Sequence, residues 1–289
     1  MKEPQRVSDV PLGDAITLLI YGDQGSGKTW FLGTAGDRSL FLNLGAGEVT
    51  LQSPAFKSKV GANPLYVDLS IAAVSSKGNI SDTFDRLCDT IDLYIEKYSH
   101  LFDTICIDDL TSLAYHAQMK GMSISSRSNT LATAKAKKTI PLAEVGDMGT
   151  EQNLLRWFFD TYTKVAKENK KHLVVAAHRQ SVFTSPKKDG KTIMGEPVLR
   201  FVMPAVVGKS SFAPNVLPTY FDEVWYLERN AAGIDNKRQY KTTARTEPTT
   251  IITAKSRHGG IFATELVNPT FLNCIIAIKE SKPYSGDGL

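Results

Sequence analysis

The segment Gly22-Asp23-Gln24-Gly25-Ser26-Gly27-Lys28-Thr29 constrains this chain more than any other. It fits the pattern Gly-x-x-x-x-Gly-Lys-Ser/Thr, the phosphate-binding P-loop. An apolar run from Ala15 to Tyr21 leads into it, and Trp30-Phe31-Leu32 can open a helix behind it. Strand, loop and helix in that order are the context the motif needs. Glycines let the backbone bend so that successive N–H groups point inward, and at a helix N-terminus those donors form an anion cradle. Lys28 then reaches the β- and γ-phosphates, and the Thr29 hydroxyl ligates Mg²⁺. The expected nucleotide-binding residues are Gly22, Gly25, Ser26, Gly27, Lys28, Thr29 and Trp30. The bland alternative is a Gly-rich turn before a helix, and the flanking pattern argues against it.

The chain has 289 residues, 42% hydrophobic and 22% charged, which suits one large α/β domain with a real core. Its net charge of +4 permits a nucleic-acid partner without demanding one. Cys88, Cys106 and Cys274 are odd in number and widely spaced, which argues against a disulfide framework or a zinc site and for small core residues in a reducing cytoplasm. Met1 to Asp9 is too polar for a signal peptide, and no apolar run approaches the ~18 residues of a membrane helix.

Residues 1–14 read as a polar arm, 15–281 as one ATPase-type core and 282–289 as a tail. Strands are expected at Ile16–Gly22, Ser39–Leu44, Leu65–Asp68, Thr104–Asp108 and His172–Ala177. Helices are expected after the P-loop, over Ile80–Tyr98, Leu110–Gly121 and Thr150–Asn169. This alternation implies a mainly parallel, twisted sheet with helices on both faces. Glu223–Glu228, Tyr240–Thr243 and Thr249–Ala254 read as strands without helices, an antiparallel C-terminal extension. Residues 122–148 lack clear periodicity and read as a mobile loop or a loose helical excursion, and 181–216 as a second long irregular stretch.

Phe102-Asp103-Thr104-Ile105-Cys106-Ile107-Asp108-Asp109 has the form of a Walker B strand. A carboxylate at its C-terminal end, Asp108, faces the crevice where a P-loop sits and can hold Mg²⁺. Asp109 is expected to point to the other face, because side chains alternate along a strand. His178 ends the next strand and can touch a γ-phosphate or the attacking water, or can be a hydrogen-bonded structural histidine. Lys255 and Arg257 stand two apart before Gly259-Gly260 and share a face if the strand continues. They suit a triphosphate delivered by a neighbouring subunit, or form a solvated basic turn.

Together the P-loop, Ile107-Asp108-Asp109-Leu110-Thr111, the strand ending in His178 and the late Lys255-x-Arg257 resemble RecA-superfamily ATPases, over roughly residues 15–260. They are most similar to small phage-encoded proteins that are little more than a RecA-like core, some of which act in single-strand annealing and recombination. Leu217-Pro218-Thr219-Tyr220-Phe221-Asp222-Glu223-Val224 is similar to theirs as well. The resemblance implies ATP and Mg²⁺ as cofactors and a homo-oligomer, ring or filament, with ATP at subunit interfaces. It implies Lys255 and Arg257 acting in trans on a neighbour's γ-phosphate, and His178 as a γ-phosphate sensor. Partners would be single-stranded DNA and other phage replication or recombination proteins, in the host cytoplasm. The chain departs from the pattern at Gly45, which stands where the family places a glutamate that polarises water; Glu48 follows three residues later. Lys28, Glu48, Asp108, His178, Lys255 and Arg257 are thus the expected catalytic set.

The two irregular stretches fall where such proteins place DNA-binding loops. The first carries Arg127, Lys135, Lys137 and Lys138. The second carries Lys187, Lys188, Lys191, Arg200 and Lys209 among Phe183, Phe201 and Phe212. Cations neutralise phosphates and aromatics stack on unpaired bases; two solvated loops with phenylalanines tucked into the core are the alternative. A nucleotide-gated scaffold or partner-loading factor with little turnover is the competing function, and a metabolic kinase a more distant one.

Overall fold

The apolar runs around the P-loop become the middle of one sheet. The structure, a computed structural model, describes residues 15–45, 47–70, 82–124, 130–133, 138–141, 145–185, 187–188, 191–192, 197–206, 212–234 and 237–284. In chain order the first elements are β1 (Thr17–Gly22), α1 (Lys28–Gly33), β2 (Ser39–Asn43), α2 (Glu48–Gln52), α3 (Pro54–Lys59), β3 (Leu65–Asp68) and α4 (Thr83–Tyr98). Next come β4 (Thr104–Asp108), α5 (Leu110–Ile124), β5 (Thr130–Thr133), β6 (Lys138–Pro141), α6 (Val145–Glu168) and β7 (His172–Thr184). β8 (Lys187–Lys188), β9 (Lys191–Thr192), β10 (Val198–Pro204), β11 (Glu223–Ile234) and β12 (Lys237–Arg245) follow, then β13 (Lys255–Ser256), β14 (Glu265–Val267) and α7 (Phe271–Glu280).

The main sheet runs β14-β12-β11-β1-β7-β4-β2-β3. From β11 to β3 every pairing is parallel. β12 and β14 extend the β11 edge antiparallel, β13 pairs with the start of β11, and β10 folds back on β7. This is the expected mixed α/β class. Every residue of β1, β2 and β4 is buried, because helices cover both faces. Alternation splits each strand between two cores. Leu19, Ile105 and Val175 pack with Leu87, Leu113 and Phe158 of α4, α5 and α6, whereas Leu18, Cys106 and Val174 pack with Phe31 and Phe271 of α1 and α7. The Phe31 ring meets Trp225 and Phe271 edge-on, with centroids 5.9 and 6.2 Å away, which pins the P-loop helix to the sheet.

Several boundaries differ from the sequence reading. β7 does not stop at His178 but runs to Thr184, because β10 supplies an antiparallel partner that no local signal announces. Thr249–Ala254 is not a strand: the Thr249 hydroxyl accepts from the Ile251 and Ile252 amides, a local turn that leaves a single bridge to Val202. The C-terminal region is not strands alone. Phe271–Glu280 forms α7, capped by the Thr270 hydroxyl; an apolar run this short does not reveal its own period. α5 reaches Ile124 and β5 pairs with β6 inside the stretch read as a loop. Past Lys282 the chain is docked as far as Tyr284, whose N–H donates to Ile261 at 2.8 Å. The arm 1–14 lies outside the described residues. The three cysteines are free and buried. Among the described residues, no helix is long and apolar enough to cross a membrane.

Candidate functional site

β1 and β2 are separated in the sheet by β7 and β4, and the connection to β11 crosses β1. Such a reversal opens a crevice at the C-terminal ends of the strands, and the P-loop lies in it. Its glycines are required by geometry. Gly25 and Gly27 have φ of 78° and 97°, and a Cβ on Gly22 would sit 2.3 Å from the Leu227 carbonyl oxygen. Gly27 is the N-cap of α1 and offers no side chain to the first turn, so those amides stay unclaimed by any cap. Ser26 N–H donates to the Asp23 carbonyl at 3.1 Å, and among the described residues the buried Ser26 hydroxyl has no hydrogen-bond partner. Lys28 is buried and donates to the Gly22 and Asp23 carbonyls at 3.1 and 2.7 Å. Burial lowers its pKa, with Asp108, Asp109 and Asp23 pulling the other way. Trp30 packs edge-on against Phe56, 5.2 Å between centroids, so its ring belongs to the core contact of α1.

Asp108 ends β4 and is brought to the loop: the Thr29 hydroxyl donates to its Oδ2 at 2.7 Å. Burial pushes the Asp108 pKa up to about 6; the Thr29 bond and Lys28 oppose, and Asp109 adds to the rise. A hydroxyl and a buried carboxylate at contact distance are hard oxygen donors that fit Mg²⁺, an ion that takes one or two carboxylates and fills its remaining positions with phosphates and water. Thr29 and Asp108 would hold it. Among the described residues no cluster of three His, Cys, Asp or Glu forms an alternative metal cage.

Asp109 is not turned away. β4 ends at Asp108, so strand alternation no longer applies, and Asp109 Oδ1 accepts from the Ser112 amide at 2.7 Å at the start of α5. Its Oδ2 lies 3.2 Å from His178 Nε2. Burial pushes the Asp109 pKa up, but His178 and the Ser112 amide outweigh it and hold it low. Parallel pairing sets Gly22 beside His178, which puts the histidine between the P-loop and Asp108. Its own N–H donates to the Thr111 hydroxyl at 3.1 Å.

On the other side of Asp108 stands Asn43, its register partner at the end of β2. Asn43 donates to Glu48 Oε2 at 3.2 Å and accepts from the Gly47 amide at 3.0 Å. Glu48 therefore borders the crevice behind Asn43, with the Tyr66 hydroxyl 3.4 Å away. A Cβ on Gly47 would meet Asp108 Oδ2 at 2.5 Å, and one on Gly45 would come 3.9 Å from Asp109 Oδ2. Position 45 thus opens onto the paired carboxylates, and glycine leaves that space without a side chain.

Lys255 and Arg257 are not beside this loop. β13 pairs with Glu223 and Val224, at the N-terminal end of β11, whereas the P-loop follows Gly22, which pairs with Leu227. Four residues of strand separate the two levels by about 13 Å. β13 is too short to carry the expected alternation to Arg257, yet both side chains reach the Leu217–Tyr220 turn and its flank. Lys255 donates to the Pro218 and Phe221 carbonyls at 2.9 and 2.7 Å. Arg257 pairs with Asp222 at 3.0 Å, and its side chain is half exposed.

Of the residues expected to meet nucleic acid, Phe183 is 57% exposed, near the end of the β7–β10 hairpin where it pairs with Leu199. Arg200 is exposed, 5.6 Å above the Phe201 ring. Phe212 is buried under the Arg156 guanidinium and belongs to the core. Lys138 lies on β6, Lys187 and Lys188 on β8 and Lys191 on β9, with side chains outside the description; Arg127, Lys135, Lys137 and Lys209 lie outside the described residues.

Sequence reasoning passed over two arginines that touch the P-loop. Arg179 pairs with the Asp23 carboxylate, and Arg229 donates to the Gly25 carbonyl at 3.2 Å. Arg179 follows His178 directly, and that adjacency was the available signal. No curated protein matches the chain. The family described as AAA domain matches residues 14–258, most of the chain and the whole crevice. With the glycine-built phosphate loop, the Thr29–Asp108 contact and this match together, the chain belongs to the AAA-domain family of P-loop NTPases.

Proposed function

We propose that the protein binds Mg²⁺-ATP, hydrolyses it, and works as a homo-oligomer on single-stranded DNA in recombination, annealing or replication. The observation that carries the reading is one convergence. Lys28, Thr29, Asp108 and His178 meet in one crevice, and the strand that supplies His178 runs on into a hairpin with exposed Phe183. Lys28 would hold the phosphates, Thr29 and Asp108 the Mg²⁺, and His178, oriented by Asp109, the γ-phosphate or the attacking water. A change at His178 would pass along β7 to the hairpin.

Arg257 lies too far from its own P-loop to serve its own nucleotide. Half exposed at the opposite end of the sheet, it suits a nucleotide on another copy, with Lys255 bracing the turn beneath it. ATP would then join neighbours in a ring or filament. Gly45 favours a second reading, a nucleotide-gated scaffold with little turnover, because only Glu48 behind Asn43 is left to act on water.

ATP hydrolysis measured with and without single-stranded DNA, beside Lys28→Ala and Arg257→Ala, separates the two. DNA-stimulated turnover lost in both variants supports the oligomeric ATPase. Normal turnover in Arg257→Ala removes the trans-acting role. Tight ATP binding without turnover, indifferent to DNA, selects the scaffold.

A further inference from the structure

The second residue of the P-loop is an aspartate. A carboxylate there sets a negative charge beside a loop whose task is to attract polyanions, and at short range such a charge opposes a triphosphate. Lys28 lies near enough to feel it, and the fold sets a second cation directly against it. Parallel pairing aligns Gly22 with His178, so the next residue of β7, Arg179, arrives level with Asp23. Its Nε pairs with Asp23 Oδ1, and its Nη1 donates to the Tyr226 hydroxyl at 3.0 Å. Tyr226 belongs to β11 and pairs in register with Tyr21, whose ring lies 5.2 Å away. Arg179 therefore straddles β1, reaching from the strand on one side to the strand on the other and gripping the first loop residue between them. The Arg179 side chain is one-third exposed and Asp23 more than half, so water screens part of the pair while the Tyr226 bond fixes the guanidinium in place.

We propose that Arg179 is a positioning residue of the nucleotide site. It neutralises Asp23 and ties it to Tyr226, so that the P-loop meets a triphosphate with its amides and Lys28 rather than with a free carboxylate. The inference rests on the P-loop reading and adds to it the device that keeps an acidic loop receptive to an anion.

The test is direct binding of a fluorescent ATP analogue with Mg²⁺ to the full chain, with Lys28→Ala as control and thermal unfolding without nucleotide as a check of folding. Arg179→Ala is expected to weaken binding about three- to five-fold. Adding Asp23→Asn to Arg179→Ala is expected to recover most of that loss, since the uncompensated charge has gone. Arg179→Gln keeps a donor for Tyr226 while losing the charge, and should show the same loss and the same recovery even where the alanine variant folds poorly. Unchanged binding in Arg179→Ala and Arg179→Gln overturns the proposal. So does a double variant as weak as its arginine-deleted parent, the result expected if Arg179 only props Tyr226. Equal, weak binding by wild type and Lys28→Ala overturns the nucleotide reading itself.

Discussion

Two pairs of adjacent acidic residues sit at opposite ends of one sheet, and Asp108 of one pair is treated differently from both members of the other. At the C-terminal end, Asp108 is buried and receives the Thr29 hydroxyl, and burial lifts its pKa to about 6. At the N-terminal end, burial also pushes the Asp222 pKa up, yet Lys167, the Thr17 amide and the Thr17 hydroxyl overcome it and hold it low. Arg257 adds a further donor to Asp222. Its neighbour Glu223 is fully enclosed and takes the Trp225 indole, the Ser256 hydroxyl and the Arg257 and His258 amides. The residue types are alike and all are buried; the donors differ. A saturated carboxylate holds a fold together, whereas a buried one left short of donors is poised for a cation.

The comparison breaks most readily at Asp108. Asp108→Asn should lower ATP turnover with Mg²⁺ about a hundred-fold or more, while the metal-free chain unfolds in urea no more easily than wild type. Next is Glu223→Gln, which turns half of a saturated acceptor into a donor facing donors. It should cost about 3–5 kcal/mol in urea denaturation; a loss under about 1 kcal/mol would make that cluster ornamental.

Titration should sharpen the contrast, because the pKa values of Asp108 and Asp222 are shifted in opposite directions. The Asp108 pKa is raised, so its stabilising effect is complete below the ordinary 3.8 and is lost as pH climbs through about 6. That rise corresponds to about 3 kcal/mol. The Asp222 pKa is lowered, so its contribution is complete above the ordinary carboxylate range and is lost as pH falls through its folded value. In metal-free protein, Asp108→Asn should gain on wild type between pH 4 and pH 7. The disadvantage of Asp222→Asn should shrink only in acid. Parallel pH profiles for the two variants would dissolve the distinction. The smallest expected effect is Lys255→Met, which removes the ammonium from the Phe221 carbonyl and leaves the Pro218 carbonyl only the Phe221 amide at 3.4 Å. It should cost about 1–2 kcal/mol of stability, and the same denaturation series reads it.

How much was legible follows from the range of each interaction. The P-loop could be read in full, since glycine conformation and the strand–loop–helix order are local. Asp108 could be read because an apolar run ends on it. Asp109 was misjudged because alternation holds only inside a strand, and the strand stops one residue earlier. His178 was visible as the polar residue that closes an apolar run, but neither the strand's continuation to Thr184 nor its carboxylate partner was. α7 escaped because seven apolar residues carry too little period to choose between helix and strand.

By itself the sequence determined the phosphate loop, the parallel core and the place of Asp108, because backbone preference and hydrophobic periodicity act over a few residues. The tertiary structure alone decided which charges meet. It seated Arg179 on Asp23, His178 on Asp109 and Lys167 on Asp222, and it carried Lys255 and Arg257 to the far end of the sheet. Those choices depend on strand order and register, which bring together groups far apart in the chain and set how many donors each buried carboxylate receives.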